Sequence, residues 1–405
     1  MKIKMQKMTA NELIFFCAYF LYLMFALLST SFYYRYFEGR MYTAVKMLCV
    51  FILVVNEIIK SKMTLKSLNG LVICGIIYVV IAYNTSLFSD MALLLAFVYC
   101  GRNVSFEKIA KFTIYVSSVI LAAIILSAYA GIIKNYVEVS ENRYREYLGF
   151  RYSLFPAAII FNITALVLYL NRGQLKVLHA ILLGMSNAFI FYKTNSRLSF
   201  YMAVLMILCM LLFQRFPKIL EHSKILHAGM SLSFIIAAAA SVILTIKYNE
   251  NVSWMRIANQ VFNNRLKLGN RSLTLYGVSL LGKQNMEWVG NGLDSFGNKS
   301  TQTYLWVDNF YISMMQRFGI LVFAIIVLLL TFTLFKCLEK RNYYLMFMLT
   351  LMAGHCMIDD LFMYLNYNTF WFVIGTVLMA KRIPNSEQMM YRWPHTGRKK
   401  VKLRV

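Results

Sequence analysis

Three arginines crowd the stretch ENRYREYLGFRYSLF at residues 141–155: Arg143, Arg145 and Arg151. Further along stand Arg197 in KTNSRLSF, Arg256 in SWMRIANQVF, and Arg265 and Arg271 in NNRLKLGNRSLTLYG. A guanidinium is permanently charged, and its planar fork of donors matches phosphate oxygens two at a time. Taken singly, each of these residues is equally suited to snorkelling toward lipid phosphates or pairing with a nearby glutamate. Taken as a set on one membrane face, they match a diphosphate, which offers several such oxygens and about two charges or more. Arg197 is the sharpest case, because it opens an apolar run directly after a short polar loop.

Groups able to move a proton accompany the arginines. Asp308 stands in VDNFYISMMQRFG and His355 in MAGHCMIDDLF, where Asp359 and Asp360 follow. Asp308, His355, Asp359 and Asp360 are candidates for a general base on the outer side. His355 suits a helix-packing hydrogen bond equally well, and Asp359 and Asp360 read as solvated acids of a tight turn. No glycine-rich P-loop with its lysine, no HExxH and no clustered Cys/His set occurs, so neither a metal nor a cofactor is expected. Tyr304, Trp306, Trp254 and Trp288 are able to stack on sugar rings, although anchoring at the membrane interface explains them too.

Apolar runs must position these residues. Of 405 residues, 60% are hydrophobic and only 15% are charged. The apolar runs last ~20 residues, enough for a helix to cross a hydrocarbon core of ~30 Å. Strand-like alternation is absent, which excludes an outer-membrane barrel. The expected spans are roughly 12–31, 42–59, 68–83, 88–101, 112–133, 152–171, 178–193, 198–213, 228–247, 318–337, 342–359 and 361–380.

Basic clusters at 60–66, 101–108, 172–176, 214–224 and 336–341, together with both basic termini, fall on one side of this pattern. The positive-inside bias makes that side the cytoplasm, and it accounts for the net charge of +25 without nucleic acid. The prediction is an all-α polytopic membrane protein of about 12 transmembrane helices, with both termini cytoplasmic. It divides into nine helices over 1–247, a long extracytoplasmic loop over 248–308, three helices over 309–380 and a basic cytoplasmic tail over 381–405 that lies near anionic headgroups. The seven cysteines read as small buried apolar residues. Within the loop, Trp254, Ile257, Val261, Phe262 and Leu266 predict an amphipathic helix on the membrane. VDNFYISMMQRFG predicts a short re-entry helix leading into the tenth span, and a loop of this length is functional as a rule.

Four stretches, TNSRLSF (194–200), NNRLKLGNRSLTLYGVSLLG (263–282), GNGLDSFG (290–297) and VDNFYISMMQRFG (307–319), resemble Wzy-type polysaccharide polymerases. Their order and the long outer loop are similar to that family as well, within the superfamily that includes the O-antigen ligases. The resemblance implies a metal-independent glycosyltransferase of the bacterial plasma membrane. It would join undecaprenyl-diphosphate-linked oligosaccharide repeat units into a capsule, exopolysaccharide or O-antigen chain on the outer face. Membrane lipid, a chain-length regulator and a flippase are the implied partners. Carried over to this sequence, Arg197 and Arg265 would hold the diphosphate with help from Arg143, Arg151 and Arg271. Asp308 would orient or deprotonate the acceptor hydroxyl with His355 as competitor, and Asn309 and Tyr311 would position the acceptor. A ligase would show a histidine in the long loop, and none occurs between Tyr248 and Asp308. The alternatives are a flippase or transporter, which needs no large outer loop and should carry mid-membrane charges, and a non-catalytic scaffold. Lys46 and Glu57 sit near span ends instead.

Overall fold

The computed structural model describes residues 8–37, 39–60, 63–140, 143–294 and 296–380; the side chains of Arg35, Lys60, Ser140 and Arg143 lie outside that description, as does the basic tail. In chain order the principal helices are α1 (Ala10–Leu28), α2 (Gly39–Lys60), α3 (Leu65–Asn84), α4 (Asp90–Cys100) and α5 (Phe106–Tyr129). A hairpin follows, β1 (Val137–Ser140) with β2 (Arg143–Glu146), antiparallel with Glu138 opposite Arg145. Then come α6 (Leu154–Asn171), α7 (Val177–Thr194), α8 (Arg197–Arg215), α9 (Lys224–Ser231) and α10 (Ser233–Ile246). The set is completed by α11 (Ser253–Val261), α12 (Arg265–Tyr276), α13 (Phe310–Glu339), α14 (Tyr343–His355) and α15 (Thr369–Met379).

Among the described residues, eight helices, α1, α2, α3, α5, α6, α7, α8 and α13, are long and apolar enough to cross a membrane; α9 and α10, bent by 56°, make a ninth if they form one span. The fold is thus a mainly helical, multi-pass bundle. Three of the twelve apolar runs fold short. The helix α4 has 11 residues and α14 has 13. At ~1.5 Å per residue these reach only about half to two-thirds of a ~30 Å core. The reason is their surroundings: Met91, Leu93, Leu94, Phe97 and Val98 bury α4 on every side. Irregular backbone between α14 and α15 is tolerated because protein covers it and completes its hydrogen bonds. Asn162 donates from Nδ2 to Thr369 Oγ1 at 2.9 Å and accepts from the Thr369 amide at 3.2 Å.

The bundle has two distinct ends. At one end, Lys108 meets Glu12 at 2.7 Å, Arg102 bonds Glu57 and Arg172 bonds Glu107. At the other, the connections α1–α2, α3–α4, β2–α6, α7–α8, α10–α13 and α14–α15 converge, since residues from five of them, and Asp90 directly after α3–α4, line two adjoining cavities.

The amphipathic helix expected to run through the long loop is broken in two. Asn263 and Asn264 adopt left-handed backbone (φ 51° and 64°), which asparagine accepts more readily than most residues. Trp254, Ile257 and Val261 stay exposed on α11, whereas Leu266 is buried on α12. The helix α13 is also broken, at Gly319, where φ is 88°. Its first part, Phe310–Phe318, is a buried short helix, as the sequence of that stretch suggests, and residues 279–282 cap the break: the Ile320 and Leu321 amides donate to the Ser279 and Leu280 carbonyls, both at 3.1 Å.

Candidate functional site

Each arginine of the site is delivered by a turn. Asn195, left-handed at φ 53°, ends α7 and reverses the chain into α8. Its side-chain oxygen accepts from Arg197 Nε at 3.1 Å, setting Arg197 at the first position of α8. The Asn263–Asn264 turn does the same for Arg265 at the start of α12. Asn259 fixes that turn by donating to Asn264 Oδ1 at 2.9 Å and accepting from the Lys267 amide at 3.0 Å. The hairpin supplies Arg145. These three side chains, from three separate elements, line one cavity of about 130 Å³ together with Asp308, His355 and Asp359.

Arg265 is only 10% exposed, and its closest acid is Asp308, with Nη2 3.6 Å from Oδ2. That spacing is longer than a hydrogen bond. Its Nε and Nη1 are buried with no hydrogen-bond partner, and so is Nε of Arg145. An unsatisfied buried donor costs ~1–3 kcal/mol, more when charged, and an anion in this cavity would offset that cost.

The second cavity, about 400 Å³, shares Tyr152, Leu154, Asn291, Tyr304, Asp308 and Asp359 with the first. Its remaining wall includes Trp306, Asp360, Tyr364, Arg151, Tyr42 and Asp90. Tyr304 donates to Asp308 Oδ2 at 3.5 Å, and Trp306 Nε1 donates to Asp360 Oδ2 at 3.1 Å. Burial pushes the Asp308 carboxyl up to about 6; Arg265 opposes this and the charge of Asp359 adds to it. Burial, with the charges of Asp308 and Asp359, also holds Asp360 well above the usual carboxylate range. Asp359 and Asp360 are therefore not the solvated acids of a turn: they are 5% and 2% exposed.

The other sequence candidates fall elsewhere. Arg151 reaches the second cavity but is committed to the end of α1, donating to the Ser29 carbonyl at 3.0 Å and lying over the Tyr34 ring. Arg271 is exposed in a separate groove with Lys247 and Lys267, because it lies on another face of α12 from Arg265. Arg143 opens β2, and its side chain lies outside the described residues. Asn309 and Tyr311 do not face a cavity. Asn309 caps α13, accepting from the Tyr311 and Ile312 amides, and donates to Ser241 Oγ at 3.2 Å and the Met357 carbonyl at 2.9 Å. Tyr311 is fully buried and donates its hydroxyl to the Ala353 carbonyl at 2.9 Å. His355 lines the first cavity, stacked on Phe161 at 4.4 Å, with Nε2 3.8 Å from Asp359 Oδ2 and no hydrogen bond.

Sequence reasoning gave Arg145, Tyr304 and Trp306 lesser roles and passed over Tyr152, Asn291 and Tyr364. Nothing in the pattern of a tyrosine-rich chain separates those in a cavity wall from the rest. The arrangement can hold a multiply charged anion beside a carboxylate that binds its proton near neutrality, with an aromatic and acidic chamber alongside. No protein-family model, no curated protein and no solved structure matches this chain.

Proposed function

We propose that this protein is a Wzy-type polymerase, which transfers a growing glycan from its undecaprenyl diphosphate to a hydroxyl of the next lipid-linked repeat unit. The observation that carries the proposal is the buried fork of Arg265, with two donors lacking hydrogen-bond partners, beside Asp308, which lies on the wall common to both cavities. In this reaction the acceptor hydroxyl attacks the anomeric carbon, the new glycosidic bond forms and the bond to the diphosphate oxygen breaks. Asp308 takes the hydroxyl proton. Arg265, Arg197 and Arg145 neutralise the charge that develops on the leaving diphosphate, the largest task in a transfer with a good leaving group. His355, which has no charged partner within hydrogen-bond reach, helps to shape the pocket around Asp359.

The proposal includes twelve crossings, three of them by the short buried helices α4, α14 and α15, with both termini in the cytoplasm of a bacterial plasma membrane. The meeting of the six connections at one end supports it, as do the ion pairs of Arg102, Lys108 and Arg172 at the opposite end, where basic clusters belong in the cytoplasm. The test is Asp308→Asn in intact cells. Single repeat units should accumulate on the lipid carrier and be cleaved by a glycosidase added from outside. Units that stay protected until the membrane is opened would replace polymerisation with transport.

A further inference from the structure

The two cavities are segregated by charge. In the smaller one, Arg145, Arg197 and Arg265 face the space. In the larger one the ionisable residues are Asp90, Arg151, Asp308, Asp359 and Asp360. Two of these are already matched within the protein: Lys46 pairs with Asp90 at 3.0 Å, and Arg151 is held by the Ser29 carbonyl and the Tyr34 ring. That leaves the three carboxyls of Asp308, Asp359 and Asp360, all less than 15% exposed, facing an interior walled by Trp306, Tyr152, Tyr304 and Tyr364. The cations nearest to these carboxyls are Arg265, on the side of the smaller cavity, and Arg317, whose Nη1 donates to the Tyr364 hydroxyl at 3.4 Å. The backbone lies against Trp306 as well, since a Cβ on Gly290 would sit 3.3 Å from its ring. Indole and phenol faces stack on the C–H faces of a pyranose, and carboxylates accept from its hydroxyls.

We infer that the larger cavity binds a neutral or amino sugar and rejects uronic acids, so that the saccharide next to the reacting bond carries no carboxylate. The inference rests on the glycosyl-transfer reading and gives it a substrate class. A uronate placed there brings a further like charge beside Asp308 and Asp359, in a poorly solvated space whose one arginine, Arg151, is already bonded to the Ser29 carbonyl and lies over the Tyr34 ring. At a few ångströms and a protein-like dielectric, repulsion of that kind costs about tenfold or more in affinity. An ammonium group from an amino sugar meets the opposite field and is favoured.

The experiment uses the full chain in nanodiscs and saturation-transfer NMR with methyl glucoside, methyl glucosaminide and methyl glucuronide. In parallel, inorganic pyrophosphate is followed by phosphorus line broadening. The glucoside and glucosaminide should bind, and the glucuronide should bind about tenfold more weakly or not at all. Asp359→Asn should recover glucuronide binding, a gain that damage to the fold cannot produce. Acidifying the unmodified protein from about pH 8 to about pH 5 should narrow the same gap, because the wall carboxyls take up protons while the glucuronide stays charged. Equal binding of glucoside and glucuronide, or a gap that neither Asp359→Asn nor acid narrows, overturns the inference. Sugar selectivity with no pyrophosphate binding supports it and instead removes the diphosphate reading of the arginine cavity.

Discussion

Arg265 keeps two buried donors without partners while a carboxylate waits just beyond hydrogen-bond range. A lysine in its place retains the charge but not the fork. Arg265→Lys should therefore lower polymer formation by ~10²-fold or more, with the protein still present in the membrane. Arg271→Ala, in a separate groove, should leave the chain-length distribution unchanged, as a gel of the extracted polysaccharide will show. Asp308 must be ionised to act as a base, and its proton leaves near pH 6. Transfer rate should accordingly rise with pH through about 6 and level off above it. In Asp308→Asn that inflection should vanish along with ~10²–10⁴-fold of the rate. At this scale the sequence was legible in kind and not in direction. Arginine and aspartate types pointed to anion binding and proton transfer, but a side chain's aim depends on tertiary packing. Asn309 and Tyr311 flank Asp308 in sequence, yet a cap and a helix–helix hydrogen bond consume their polar groups. Asp359 and Asp360 looked like surface acids because burial leaves no mark on neighbouring residue types.

At the scale of elements, the break in α13 decides where Asp308 stands. Gly319 sits at φ 88°, and a Cβ there would lie 2.3 Å from the Leu280 carbonyl oxygen and 2.4 Å from the Gly282 nitrogen. Gly319→Ala must move that backbone or unwind the short helix, and left-handed geometry adds ~1–2 kcal/mol of its own. The expected result is a lower melting temperature in detergent and loss of polymer; a variant with unchanged stability would show that residues 279–282 can give way. The short buried helix before this glycine was readable from sequence, as a short stretch, VDNFYISMMQRFG, leading into the tenth apolar run. The shortness of α4 was readable too, since its apolar run is short, but that of α14 and α15 was not. A hydropathy pattern records that residues are apolar, and it does not distinguish lipid from protein as the surrounding medium.

For the whole molecule, sidedness is the claim that everything else depends on. With the native cysteines replaced, new cysteines at Asn251 and Ser300 should react with an impermeant thiol reagent from outside, and one at Gln174 should not. All three positions are exposed, so the contrast reports side and not burial. Labelling of Gln174 alone would place the arginine cavity in the cytoplasm and end the polymerase proposal. The convergence of six connections on one end was implicit in the alternating loop charges, whereas the division of that end into two chambers required coordinates. Because Asp308 belongs to the wall of both chambers, anion binding in one is linked to protonation in the other. A diphosphate arriving beside Asp308 raises its affinity for a proton, and by reciprocity a bound proton tightens the diphosphate. Pyrophosphate titrated into the protein near pH 6–7 should thus draw protons from solution, seen as a binding heat that changes with the ionisation enthalpy of the buffer. In turnover, the proton stripped from the acceptor would remain while the spent carrier is bound and depart with it, so alkaline surroundings would hasten product release.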